Sequence, residues 1–169
     1  NIMSKFISIE ADVINQKIDE TSTTQKHTLG KIIRAEDRDT TLYGQGEFIY
    51  LKGVASTTVG SVVSYQADDF STSLAVANDR APIAIAMSAC VADNYGWYQI
   101  GGKAVAKVLT GFADNAICYL TATAGSIDDA AVAGDLIYRM KGASAIGTPS
   151  AGLAEVEIER PFVNDGATV

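Results

Sequence analysis

From Gly30 onward the chain alternates short apolar runs with Gly, Asp-Asn or Ser-Thr punctuation at intervals of roughly 8 to 12 residues, the pattern of a β-sandwich or barrel. Strands are expected near "GKIIRAE", "GEFIYLKGV", "GSVVSYQ", "APIAIAMSACV", "YGWYQI", "KAVAKVL", "NAICYLTA", "DLIYRMKG" and "AEVEIER". In the last of these, Ala154, Val156 and Ile158 share one face and Glu155, Glu157 and Glu159 the other, so one side is buried and one is wet. "PIAIAMS" instead sets Ile83, Ile85 and Met87 against Ala84, Ala86 and Ser88, apolar on both faces but for the serine, which suits the centre of the fold or a face closed by another subunit. The expected class is all-β, a compact barrel or sandwich.

The stretch "NYGWYQIGGKAVAKV" (Asn94 to Val108) carries Gly-Gly-Lys and so mimics a phosphate-binding loop. A Walker loop would need glycine where Trp97 stands and Ser or Thr where Ala104 stands. The stretch reads better as a β-hairpin turning at Gly101-Gly102 and returning from Lys103. Lys103 and Lys107 then share a face with Val105 and edge a sheet or meet acidic neighbours. A weak internal repeat supports the β reading. "GEFIYLKGVA" parallels "GWYQIGGKAVA", "SVVSYQADDF" parallels "AICYLTATAG", and "APIAIAMSA" parallels "GDLIYRMKG", at offsets of about 50 residues. Two related β-units closing on one another would give the barrel or sandwich.

Before Gly30 the pattern changes. Residues 1–29 hold no Gly, Pro, Tyr or Trp and include the polar run "DETSTTQKHT", too poor in apolar residues for a core. They are expected to form an extended N-terminal arm with at most one weak helix from Ser8 to Glu20. Ser8 would be its N-cap, and Ile9, Val13, Ile14 and Ile18 would fall near one face. Fully extended, such an arm reaches up to about 90 Å. The expected division is arm 1–29, β-domain 30–163 and tail 164–169, with removal of residues 1–28 leaving the domain folded.

Composition narrows the function. The 169 residues suit one domain, and the glycine count of 15, with apolar content dominated by Ala, Val and Ile, favours strands. A net charge of −7 argues against nucleic acid or an anionic membrane as the main partner. The first residues lack the basic start and apolar core of a signal peptide, and no run approaches the ~20 apolar residues of a membrane span. Cys90 and Cys118 lie in apolar runs and are expected to be free and buried.

A hydrolase triad needs a histidine, and this chain has one, His27, expected to be a solvated arm residue; with Cys90 and Cys118 far apart, the paired ligand spacings of a structural zinc site are also lacking. The acidic pairs Asp68-Asp69 and Asp128-Asp129, and "EDRD" from Glu36 to Asp39, lack a full calcium-loop pattern and read as turn caps. Nothing marks a glycosidase pair among the acids, so no enzyme and no cofactor are expected. The aromatics Tyr95, Trp97 and Tyr98, with Phe48 and Tyr50, are the better lead. Tyr95 and Trp97 share one strand face and Tyr98 takes the other, which suits core or subunit interface and, less well, a sugar-stacking platform.

One resemblance adds to this. "IAIAMSACVADNYGWYQIGGKAVAKVLTGFADNAICYLTATAGSI", with "GTPSAGLAEVEIERPF" from Gly147 to Phe162, resembles the small head decoration, or capsid cement, proteins of tailed bacteriophages. The likeness lies in the Ala/Ile strand, the "YGWYQI" and "AxVAKVL" strands, the "YLTATAG" turn and the closing strand before "RPF", and covers about Gly30 to Val163; residues 1–29 match no phrase of that family. It implies a structural β-protein on the outer face of an icosahedral virion, assembled in the host cytoplasm, commonly a homotrimer, with the major capsid protein as partner and terminal arms lying on neighbouring subunits. Candidate capsid or subunit contacts are then Phe6, Ile7, Ile9, Val13, Ile14 and Ile18 of the arm, with Trp97 and Tyr98. The alternative is a carbohydrate- or receptor-binding virion module using Trp97 and Tyr98.

Overall fold

The structure, a computed structural model, describes residues 6–9 and 15–164. Among them there is no helix. Twelve strands form one sheet: β1 (Phe6–Ser8), β2 (Thr21–Ser22), β3 (Ile32–Asp37), β4 (Gln45–Lys52), β5 (Val62–Tyr65), β6 (Thr72–Leu74), β7 (Arg80–Ala86), β8 (Tyr95–Lys107), β9 (Ile117–Leu120), β10 (Ile127–Asp128), β11 (Leu136–Gly142) and β12 (Leu153–Asn164). The main path runs β1-β3-β4-β8-β7-β12-β11-β9-β10, with β2 on β8, β5 on β7 and β6 on β5. Every pairing between named strands is antiparallel. The all-β class read from the sequence holds. The sheet folds over itself in the manner of a barrel or sandwich without closing.

Its central device is β8. The hairpin expected at Gly101-Gly102 does not form; the chain continues through both glycines as one thirteen-residue strand. Residues up to Gly101 pair with β4, and residues from Gly101 onward pair with β12, so Gly101 lies opposite both Glu47 and Glu159. The glycines serve a bend rather than a turn. Gly102 has φ +94°, and a Cβ there would sit 2.5 Å from the Gln45 carbonyl oxygen. Only glycine meets both demands.

The bend explains how one strand borders three cores. Odd positions of β8, Trp97 and Val105, face a cluster with Phe6, Ile18, Ile33, Phe48 and Tyr50. Even positions before the bend, Tyr98 and Ile100, face a second cluster with Ile49, Leu51, Val63 and Ala84. After the bend, Ala104 and Ala106 face a third with Ile83, Ile85, Leu120, Ile137 and Val156. β7 behaves as its sequence suggests, with Ile83 and Ile85 in one cluster and Ala84 and Ala86 in another. It lies in the middle, bonded to β5, β8 and β12.

The repeat is visible in the pairing, at a longer offset than the phrases suggested. Tyr65 pairs with Thr72 in the first unit and Leu120 with Ile127 in the second. The isolated parallel bridges Lys52–Ser71 and Val108–Ile127 are related by about 56 residues. So are the turns in which the N–H of Asp79 bonds the carbonyl of Val76 and that of Asp135 bonds the carbonyl of Val132, each at 3.2 Å. Those turns carry the phrases "AVAND" and "AVAGD", with Asn78 at φ +73° and Gly134 at φ +88° filling the same left-handed position. Asn and Gly are the two residues that take this conformation most readily.

The N-terminal segment departs from its expected form. Ser8 closes β1 instead of capping a helix, and residues 15–20 form turns. Val13 and Ile14 lie outside the described residues. Phe6 is buried against Phe48 and Tyr43, with ring centroids 4.8 and 6.4 Å away. Residues 15–29 lie on the domain as a strap. A polar segment does so because it contributes only a few apolar side chains and satisfies its backbone by pairing, which composition alone does not register.

Candidate functional site

The strap crosses the aromatic cluster that the sequence singled out. Gln16, 4% exposed, is its clasp: its Nε2 donates to the carbonyls of Tyr95 (2.9 Å) and Glu20 (2.8 Å), and its Oε1 accepts from the Tyr50 hydroxyl at 2.6 Å. Its own carbonyl accepts from Trp97 Nε1 at 3.2 Å. β2 then pairs Thr21 and Ser22 with Gly96 and Tyr95. His27, expected in solvent, is buried instead, its ring 5.1 Å from those of both Tyr50 and Trp97. An imidazole at the end of a polar run can still pack when its flat apolar faces meet other rings.

These contacts correct the candidate contact residues. Trp97 and Tyr98 are 0% exposed, and Phe6 and Ile18 are also buried within this chain. None of the four presents a surface to a capsid, a second subunit or a sugar. Tyr95 and Trp97 do share one face and Tyr98 the other, as the alternation required. Ile7 of β1, opposite Glu36 of β3, and Ile9 just beyond β1, whose N–H bonds the Arg34 carbonyl at 3.3 Å, are exposed. Among the described members of the set, these two remain available.

Other polar groups have structural partners. Asp37 caps the 38–43 loop, accepting from the backbone N–H groups of Asp39 (3.0 Å), Thr40 (3.1 Å) and Tyr43 (3.3 Å). Burial by itself would raise its carboxyl, but these bonds and that of the Thr40 hydroxyl outweigh it and hold it below the ordinary 3.8. Asp69 and Asp129 likewise accept turn N–H groups, from Ser71 and Ala113. Glu155, expected in solvent, is buried between the Tyr43 hydroxyl (2.9 Å) and Lys103 Nζ (2.7 Å), with Lys103 5.0 Å from the centre of the Tyr43 ring. Burial first, then the bond to Glu155, pushes the Tyr43 phenol far above its usual range. Lys103 thus meets an acidic neighbour, as its position suggested. Among the described residues no three His, Cys, Asp or Glu side chains gather as metal ligands.

The least conventional geometry lies where β11 meets β12. Tyr138 pairs with Phe162 and Met140 with Ile158, so Arg139 alone stands opposite Glu159, Arg160 and Pro161. Arg139 has φ +60° and Arg160 φ +47°. Non-glycine residues held there cost on the order of 1–3 kcal/mol each, and such irregularities re-aim side chains. The two arginines line a groove of about 280 Å³ with Arg34, Glu47 and Glu159 and with Gly46, Gly101 and Gly102. Arg160 Nε lies 3.1 Å from Glu47 Oε2. Arg139 has no ion pair among the described residues.

Beside the groove, on the same outer face, Tyr138 and Phe162 form a cross-strand aromatic pair that is 44% and 42% exposed. Leu136 and Tyr119 extend it on one side and Pro82 on the other. The sequence reading missed this face. Its signal was a change of phase in β12: Ala154, Val156 and Ile158 are buried, and after Arg160 the buried positions become Pro161 and Val163. A proline interrupting a strand alternation marks such a shift.

No family model, no curated protein and no solved structure matches the chain.

Proposed function

We propose that the chain is a structural virion protein of a tailed bacteriophage, one that binds the outer face of the icosahedral capsid and stabilises the junctions between capsomers. It acts as a homotrimer, with the major capsid protein as its partner, and joins the particle in the host cytoplasm. The observation that carries the reading is where the decoration-protein phrases fall. "IAIAMSA" begins in β7, "YGWYQI" and "AVAKV" lie on the two halves of β8, and "AEVEIERPF" lies on β12. These three strands each pair with the other two. Phrases more than 60 residues apart therefore make one framework, the part of a fold that a family would share.

Binding the assembled shell and not its separated subunits stabilises the shell by mass action. Many weakly held copies suffice, because each contact made by an attached copy raises the effective concentration of the next. The carbohydrate alternative loses its motive, since Trp97 and Tyr98 are enclosed and no ring of theirs can stack on a sugar. The test is to heat capsids, and to dilute them into low salt, with and without the protein. Added protein is expected to bind saturably and raise the temperature of capsid disruption; capsids that neither bind it nor gain resistance would remove the proposal.

A further inference from the structure

We infer that the outer face of β11 and β12, centred on Tyr138, Phe162, Arg139 and Arg160, docks a protein surface that presents an apolar anchor ringed by carboxylates. This deepens the proposed function by naming the face that meets the partner, and it rests on that proposal only for the partner's identity. Three observations converge. First, Tyr138 and Phe162 are large rings directly opposite one another and largely open to solvent, flanked by Leu136, Tyr119 and Pro82 on one continuous face. A contiguous exposed patch of this kind is where monomeric proteins most often carry an interface, and aromatic and Arg side chains dominate interface energetics.

Second, charge selects the partner. The chain is acidic overall, yet three of its five arginines, Arg34, Arg139 and Arg160, line the adjoining groove. Glu47 pairs with Arg160, and Arg139 has no ion pair among the described residues, so its guanidinium fork suits a single carboxylate better than a multiply charged phosphate. Third, the chain holds Arg139 and Arg160 in left-handed backbone on facing strands, where glycine would sit without strain. The backbone outlier points to side chains kept for what they reach.

The test uses the full chain, labelled for amide NMR, titrated with a synthetic peptide of one phenylalanine set among glutamates and with the same peptide carrying lysines. The acidic peptide is expected to shift amides of β11 and of β12 around the bulge, and the effect should fade in 1 M salt, where the Debye length is about 3 Å. The lysine peptide should leave them unmoved. The Arg139→Gly/Arg160→Gly variant, whose backbone suits glycine, should fold and bind the acidic peptide and the capsid at least about tenfold more weakly. Tyr138→Ser/Phe162→Ser should do the same.

Variants that occupy capsids as well as the parent, with no acidic-peptide shift at this face, overturn the inference while the capsid role stands. Sedimentation showing that Tyr138→Ser/Phe162→Ser dissociates an oligomer, with capsid occupancy per chain unchanged, assigns the face to self-association and also overturns it. Peptide binding at the bulge by a protein that ignores capsids supports the inference and removes the proposed function.

Discussion

Gly102 and Arg139 share a backbone region and differ in what they tolerate. At Gly102 an added Cβ meets the Gln45 carbonyl at 2.5 Å with φ at +94°, so Gly102→Ala strains both backbone and packing. Thermal unfolding should show a loss of about 2–4 kcal/mol. At Arg139 the φ of +60° favours glycine, and Arg139→Gly should leave thermal stability unchanged or raise it by about 1 kcal/mol, its cost falling on binding alone. Asp37 makes a further residue-scale prediction. Its folded pKa lies below the ordinary 3.8, so its stabilising contribution is fully present above that value and is lost as pH falls through the folded pKa. Asp37→Asn should be less stable than the parent at neutral pH by about 1–2 kcal/mol, and melting curves of the two should converge in acid as pH drops below 3.8.

At the scale of elements, the strap is the part whose role changed most. Read as polar chain it could only be an arm, since its one isoleucine, Ile18, is followed by ten consecutive polar or charged residues, Asp19 to Thr28, and no glycine punctuates it. Packed, it closes the cluster around Trp97 through Gln16, Ile18 and His27. Removing residues 1–28 should therefore expose the cluster around Trp97 and destabilise the domain, where composition alone led one to expect a domain that stays folded. Ile18→Ala should cost about 2–4 kcal/mol and loosen the strap before the rest of the chain unfolds. The single tryptophan makes this measurable, because a strap that opens admits water to Trp97 and shifts its emission to the red. An unchanged emission at denaturant levels that destabilise only the variant would mean that the strap and domain unfold together. Where the expected helix falls on described residues the same holds: Ser8 pairs in β1 and residues 15–20 turn, because a weak apolar period does not offset the cost of nucleating a helix.

At the scale of the whole molecule, the duplicated β-units and the shared strand make one cooperative body. β8 contributes to all three cores, so no core can be lost alone without disturbing the others. Cys90 and Cys118 report on this, being free, buried and far from solvent. Burial, and then the charge of Asp129, pushes the Cys118 thiol up to about 12, and burial raises that of Cys90. Both should resist a thiol reagent in the native protein and react together, at the rate of global opening, as denaturant is raised. Reaction of Cys90 well before Cys118 would show that the two units open independently.

What the sequence determined by itself was everything governed by local period and chemistry: the all-β class, eight of the strands, the two-sided burial of β7, the alternation that separates Trp97 from Tyr98, and the use of Asp37, Asp69 and Asp129 as caps. A period of two fixes which side chains share a face wherever the strand lies. Tertiary structure alone decided what depends on partners far along the chain. Whether Gly101-Gly102 turns the chain or bends it depends on β12 arriving beside Lys103, and whether Trp97 is a platform or a core residue depends on Gln16 lying across it. The exposed Tyr138–Phe162 pair and its flanking arginines exist only because β11 and β12 meet out of step, a property of two strands together that neither one carries.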